Sequence, residues 1–143
     1  MDGFLDSLVG KLISKQKGEI DASEITAPIV LLYFSAFYCE PCVEFTPKLV
    51  EAYNAWNKNE KQVEIIFVSR DNYEKDWEMY YTKMPWLAIP YGDDRISQYK
   101  LAFDVIKIPT LILIDRDGNV LNREVRNLVA THGEKALERL KEY

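Results

Sequence analysis

A chain of 143 residues, 48% of them apolar and carrying a formal net charge of −5, has the size of one ordinary domain and enough apolar residues for its own core. The acidic balance argues against a nucleic-acid platform, which needs a basic face, and six glycines with six prolines indicate neither collagen-like nor disordered character. No apolar run reaches the length of a membrane span, and the opening MDGFLDSLVGKLISK has acids before its first lysine and no apolar core ending in a cleavage site, unlike a secretory signal.

The first element expected is a short hairpin in LISKQKGEI, turning at Lys17-Gly18. The run from Ile29 to Phe34 is uniformly apolar, β-branched and aromatic, as in a strand buried on both faces. Helical periodicity begins straight after the cysteines, with Val43, Leu49, Val50, Tyr53 and Trp56 on one broad stripe. Pro47 lies inside this pattern, so a kink is expected about one turn after Cys42. VEIIFVS is a second buried strand. RDNYEKDWEMYYTKM follows as a helix, with Asp71 or Asn72 as N-cap, Glu74 reaching back, and Tyr73, Trp77, Tyr80 and Tyr81 on its packing face.

A short extended piece is expected at Trp86 to Ile89, then a helix in RISQYKLAFDV. TLILIDRDGNVLNREV is a β-hairpin turning over Asp115 to Asn119, and GEKALERLKEY closes the chain as one amphipathic helix. The two buried strands and the helix between them form a parallel βαβ unit, to which the hairpin adds antiparallel strands. The fold class is therefore α/β, a central mixed sheet flanked by helices, in a single domain over residues 1–143.

Cys39 and Cys42, the only cysteines, stand between a buried strand and a helix. Unpaired N–H groups and the positive end of the helix dipole favour a thiolate there, and a second thiol one turn along can resolve a mixed disulfide. Pro41 stiffens the intervening turn and is tolerated in the first turn of a helix. C-x-x-C beside a βαβ pattern is the cue for a redox pair. An inert pair and half of a metal site are the alternatives. A structural zinc site needs four ligands, and besides the two cysteines the chain offers one histidine, His132, far along the sequence. Ile108-Pro109 opens the hairpin strand. A cis bond there would turn the backbone sharply and free backbone groups for an extended substrate, although a trans proline is the commoner arrangement.

With these residues in view, the chain resembles the tryparedoxin and nucleoredoxin branch of the thioredoxin superfamily. LLYFSAFYCEPCVEFTPKLVEAY, IIFVSRD, YYTKMPWLAIPYGD and IPTLILID carry the resemblance, which covers nearly the whole chain. It implies a thioredoxin fold and a dithiol–disulfide oxidoreductase, with Cys39 attacking and Cys42 resolving. It implies that Pro109 is cis and faces the pair, and that no cofactor is bound beyond the redox-active disulfide itself. Its partners are then disulfide-containing proteins or small molecules and an upstream dithiol, with no nucleic acid and no membrane, on a monomer in the cytoplasm or nucleus. A redox-regulated interaction module with little turnover is the rival reading.

The family usually reads Trp-Cys-Pro-Pro-Cys, whereas this chain reads Tyr38-Cys39-Glu40-Pro41-Cys42. Tyr38 still offers aromatic cover. Glu40 puts a negative charge beside the nucleophile, which disfavours the thiolate, while the helix dipole and solvent screening oppose it. Thioredoxin proper has a buried aspartate in the strand before its cysteines, and Tyr33 stands at that position. A phenol is a poor base at neutral pH. Asp71, ending the neighbouring strand, is the better candidate to take the Cys42 proton, against the simpler role of a helix cap. Trp86 is expected in the core, with the substrate groove as its alternative. Arg123 and Arg126 could meet an acidic substrate or protect a sheet edge.

Replacing Glu40 by proline is expected to lower the Cys39 thiol pKa and speed reduction of insulin disulfides. A thiol titration that shows no shift, or an upward one, would count against that role for the carboxylate.

Overall fold

The computed structural model describes residues 11–15 and 17–143. The expectation about a leader in the first ten residues lies outside the described residues. Among the described residues seven strands form one mixed sheet in the order β2-β1-β5-β4-β3-β6-β7. The strands are β1 (Leu12–Ser14), β2 (Gly18–Ile20), β3 (Ile29–Ser35), β4 (Val63–Ser69), β5 (Leu87–Ala88), β6 (Thr110–Ile114) and β7 (Val120–Asn122). The helices are α1 (Glu40–Trp56), α2 (Glu74–Tyr81), α3 (Arg95–Ala102), α4 (Val125–His132) and α5 (Leu137–Leu140), with 3-10 turns at Ala22–Glu24 and Gly133–Ala136.

Strands β3 and β4 pair in parallel over their full length, from Ile29 with Val63 to Ser35 with Ser69. On its other edge β3 meets β6 antiparallel, and β7 extends the sheet by the expected hairpin. Every residue of β3 and β4 is buried. The two-residue alternation of a strand sorts them onto opposite faces. Ile29, Leu31 and Tyr33 of β3 join Val63, Ile65 and Phe67 of β4 in one cluster, beneath Phe45, Leu49 and Trp56 of α1. Val30, Leu32 and Phe34 face the other way, with Tyr99 of α3 and nearby Phe103. A continuous apolar run is what a strand covered on both sides requires.

Three local expectations need correction. The first hairpin forms, but Gly18 is already the first residue of β2 and pairs with Ser14. Its φ of +77° suits a residue without a Cβ at the end of so tight a turn. The region after β7 holds two helices instead of one: α4 starts at Val125, and a 3-10 turn leads on to α5. Asn122 starts that reversal, its side-chain oxygen accepting from the Glu124 N–H at 2.6 Å. Val125 and Val129, at helical spacing, then turn into the core. Tyr73 is exposed and stands at the N-cap of α2, so only Trp77, Tyr80 and Tyr81 form that helix's packing face. Pro47 lies inside α1 without ending it, although it cannot donate to the Val43 carbonyl as an ordinary residue would.

Removing a side chain from the α1 seam should be costly. Leu49→Ala, at a position with no exposure, is expected to destabilise the fold by about 2–5 kcal/mol. Leu101→Ala, at a position that is 80% exposed, should stay within about 0.5 kcal/mol. Urea unfolding of both variants checks the contrast, and equal effects would contradict the packing described.

Candidate active site

The central strand leaves the sheet at Ser35, and the chain turns through Ala36 to Tyr38 before α1 begins. The Cys39 N–H donates to the Ala36 carbonyl at 3.2 Å, which closes this turn. Cys39 is the N-cap, with extended backbone, and its carbonyl accepts from the Val43 N–H at 3.0 Å. Glu40 and Pro41 open the helix, so the missing N–H of proline falls where no intrahelical bond is due. The free N–H groups of the first turn thus lie beside Cys39, where they favour an anion.

Cys39 and Cys42 are joined in a disulfide, with Cα atoms 5.2 Å apart. Their surroundings differ. Cys39 is half-buried and Cys42 has no exposure at all. An incoming disulfide can therefore reach only the first sulfur. Tyr38, 59% exposed, projects beside it, and Glu40 is exposed on the solvent side of the first turn. Across from the pair, the Ile108-Pro109 peptide is cis. Pro109 is buried, and the Ile108 carbonyl oxygen lies 3.9 Å from the Cys39 sulfur. The backbone before Pro109 therefore borders the reactive sulfur.

Asp71 does not cap α2, whose N-cap is Tyr73 with no side-chain cap bond. Instead its Oδ1 accepts from the Phe37 N–H at 2.8 Å, and its Oδ2 accepts from the Ser69 hydroxyl at 2.7 Å. The carboxylate thereby clamps the turn that delivers Cys39. Burial raises its pKa, against the lowering effect of the Ser69 and Phe37 hydrogen bonds. An open groove of about 600 Å³ starts at Tyr38 and passes Arg70 and Asp71 towards Tyr91, Asp94 and Lys100.

Tyr33 is wholly buried below the first turn of α1, and its hydroxyl lies 2.8 Å from the Thr46 hydroxyl. Burial pushes the phenol well above its ordinary range, so Tyr33 stays protonated and cannot act as a base. Trp86 is 1% exposed and stands edge-on to Tyr33 and Tyr53, at ring separations of 6.0 and 5.4 Å. It is a core residue and does not line the groove. Arg126 lies half-buried in the first turn of α4. Arg123 donates to the Phe103 carbonyl at 2.6 Å, tying the end of the hairpin to α3. His132 ends α4. Among the described residues no group of three or more His, Cys, Asp or Glu is arranged to hold a metal.

Sequence reading missed the hydroxyl side chains around this turn. Thr46, Tyr80 and Ser35 are buried and in hydrogen-bonding contact, and Ser69 braces Asp71. A threonine one turn after Cys42, directly before a proline, was the available signal. Nothing local marks Ser35 or Tyr80 as its neighbours.

Comparison with known proteins matches residues 28–120 to the thioredoxin-like family model. Probable nucleoredoxin 1 of Arabidopsis thaliana is 38% identical over 135 residues, covering 92% of this chain and 23% of that protein. The tryparedoxin of Trypanosoma brucei brucei is 40% identical over 133 residues, covering 90% of this chain and 91% of that one. A solved tryparedoxin II, complexed with glutathionylspermidine, superposes with a TM-score of 0.80 at 32% identity, over 87% of each chain. The chain spans less than a third of the length of the nucleoredoxins it matches.

Asp71 gives the site a pH signature. The fold favours its protonated form, so the stability it contributes is present below the ordinary carboxylate range and is lost as pH rises through the raised value. As pH rises above the ordinary carboxylate range, the unsubstituted protein should therefore lose stability relative to Asp71→Asn. Thermal melts of both proteins across that rise in pH test this, and a constant gap between them would refute it.

Proposed function

We propose that this chain, which belongs to the thioredoxin-like family, is a dithiol–disulfide oxidoreductase of the tryparedoxin and nucleoredoxin type, working through Cys39 and Cys42. The observation that carries the reading is the asymmetry of the pair: one accessible sulfur at a helix N-terminus and one buried sulfur bonded to it. Neither an inert pair nor half of a metal site calls for that arrangement.

The reaction runs in two exchanges. The Cys39 thiolate attacks a substrate disulfide, forming a Cys39–substrate bond and releasing one substrate thiolate. Cys42 then loses its proton, and its thiolate attacks the Cys39 sulfur. The intramolecular disulfide forms and the second substrate thiolate leaves. Two electrons pass from the dithiol to the substrate, and an upstream dithiol returns them by the same chemistry. Asp71, beyond the end of β4 and bonded to the turn before Cys39, is the candidate acceptor for the Cys42 proton. No bound cofactor takes part, since the disulfide itself carries the electrons.

The substrates we infer are disulfide-containing proteins and small disulfides, held in extended form against the backbone before Pro109, with Tyr38 and Glu40 shaping the approach. The tryparedoxin II complex with glutathionylspermidine supports small thiols among the exchange partners. We place the protein in the cytoplasm or nucleus, acting as a monomer, with the described residues forming one domain. Among the described residues no helix is long and apolar enough to cross a membrane.

Cys42→Ser should stall the cycle after the first exchange and accumulate proteins linked to Cys39 when applied to a native lysate. Cys39→Ser should abolish disulfide reduction. If Cys42→Ser traps no partner, turnover is not this chain's function, and the interaction module takes precedence.

A further inference from the structure

The carbonyl of Cys42 can only accept a hydrogen bond. The Thr46 hydroxyl, 2.9 Å away, therefore donates its single proton there. The hydroxyls of Tyr33 and Tyr80 lie 2.8 and 2.6 Å from the same Thr46 oxygen. Both must donate to it, and together they fill its two lone pairs. The Tyr80 proton is then engaged, so Ser35, 2.6 Å away, must donate to Tyr80. One unambiguous bond thus orders four buried hydroxyls, all directed towards the first turn of α1. None of the four residues is more than 2% exposed.

From this geometry we infer that Thr46 is a positioning residue for the resolving cysteine, holding the Cys42 backbone through an ordered hydroxyl cluster. The inference rests on the exchange reading and adds three residues to it: Thr46, Tyr80 and Ser35. The cluster is not a base, because burial raises the phenols of Tyr33 and Tyr80. It is a mount. Pro47 deprives the Val43 carbonyl of its usual partner just beyond Cys42, so the backbone there lacks one helical bond. The Thr46 hydroxyl adds a bond to the adjacent Cys42 carbonyl and connects it to β3 through Tyr33 and to α2 through Tyr80. Cys42 is buried and has one target, the sulfur of Cys39, so small displacements of its backbone act directly on the second exchange.

A symmetric aromatic disulfide, 5,5′-dithiobis(2-nitrobenzoate), separates the two steps. Mixed with the reduced protein, it releases one coloured thiolate when Cys39 attacks and a second when Cys42 resolves. Thr46→Val keeps the shape but removes the donor and both acceptor sites. It should slow the second release by roughly tenfold or more and leave the first unchanged. Thr46→Ser should restore the second release. Tyr80→Phe, which removes one donor and leaves Thr46 in place, should slow the second release less than Thr46→Val and keeps the test available if that variant does not fold. Equal slowing of both releases, no slowing, or a serine variant no better than valine would overturn the inference. Absence of a second release from the unsubstituted protein would instead remove the exchange reading itself, and the role of Thr46 with it.

Discussion

The site depends on a central strand with no exposed face. Because β3 is covered on both sides and paired on both edges, its end is held firmly, and the chain can leave the sheet only at Ser35. Whatever follows stands at a fixed point between the two layers of helices. The pair of cysteines follows within one tight turn, so the rigidity of the core passes to the reactive sulfur. A loop of the same sequence on an edge strand would have neither the position nor the helix N-terminus behind it.

That constraint also sets the different exposure of the two sulfurs. The turn at Ala36 keeps Cys39 at the surface, and the first helical turn carries Cys42 under it. The partial exposure of Cys39 and the burial of Cys42 are consequences of a strand-to-helix junction with two residues between the cysteines. The groove begins at Tyr38, and the backbone before Pro109 borders the Cys39 sulfur. Polar groups brace the junction from two directions: Asp71 holds the Phe37 N–H, and Thr46 holds the Cys42 carbonyl. Removing the Thr46 hydroxyl would leave the buried hydroxyls of Tyr33 and Tyr80 without that partner, which is costlier than the loss of an average surface hydrogen bond.

Periodicity made the sheet and α1 legible. β3 and β4 are short continuous apolar runs, and α1 has a stripe at helical spacing, patterns that few other structures satisfy. The cysteine motif was legible because its chemistry is encoded in spacing. The reading was weaker where the signal is short or ambiguous. The α4 segment begins three residues after β7, so Val125, its first buried residue, looked like the continuation of a hairpin. Asp71 looked like a cap because it precedes a helix, and a cap is the commonest role for aspartate there. Its side chain turns back to Phe37 instead, a contact between residues 34 apart in sequence.

Residue order alone was enough for the class of the fold, the parallel unit at its centre, the paired placement of Cys39 and Cys42 between strand and helix, and the departure from the family's motif at Glu40. These rest on residue type, local spacing and recognisable motifs. The rest came from packing: the burial of Trp86, the clamp made by Asp71, and the meeting of Tyr33, Ser35, Thr46 and Tyr80 beneath Cys42. Each of those features joins elements distant in sequence. A hydroxyl or carboxylate is suited to many partners, and only the packing of a strand, a helix and a loop selects the one it has.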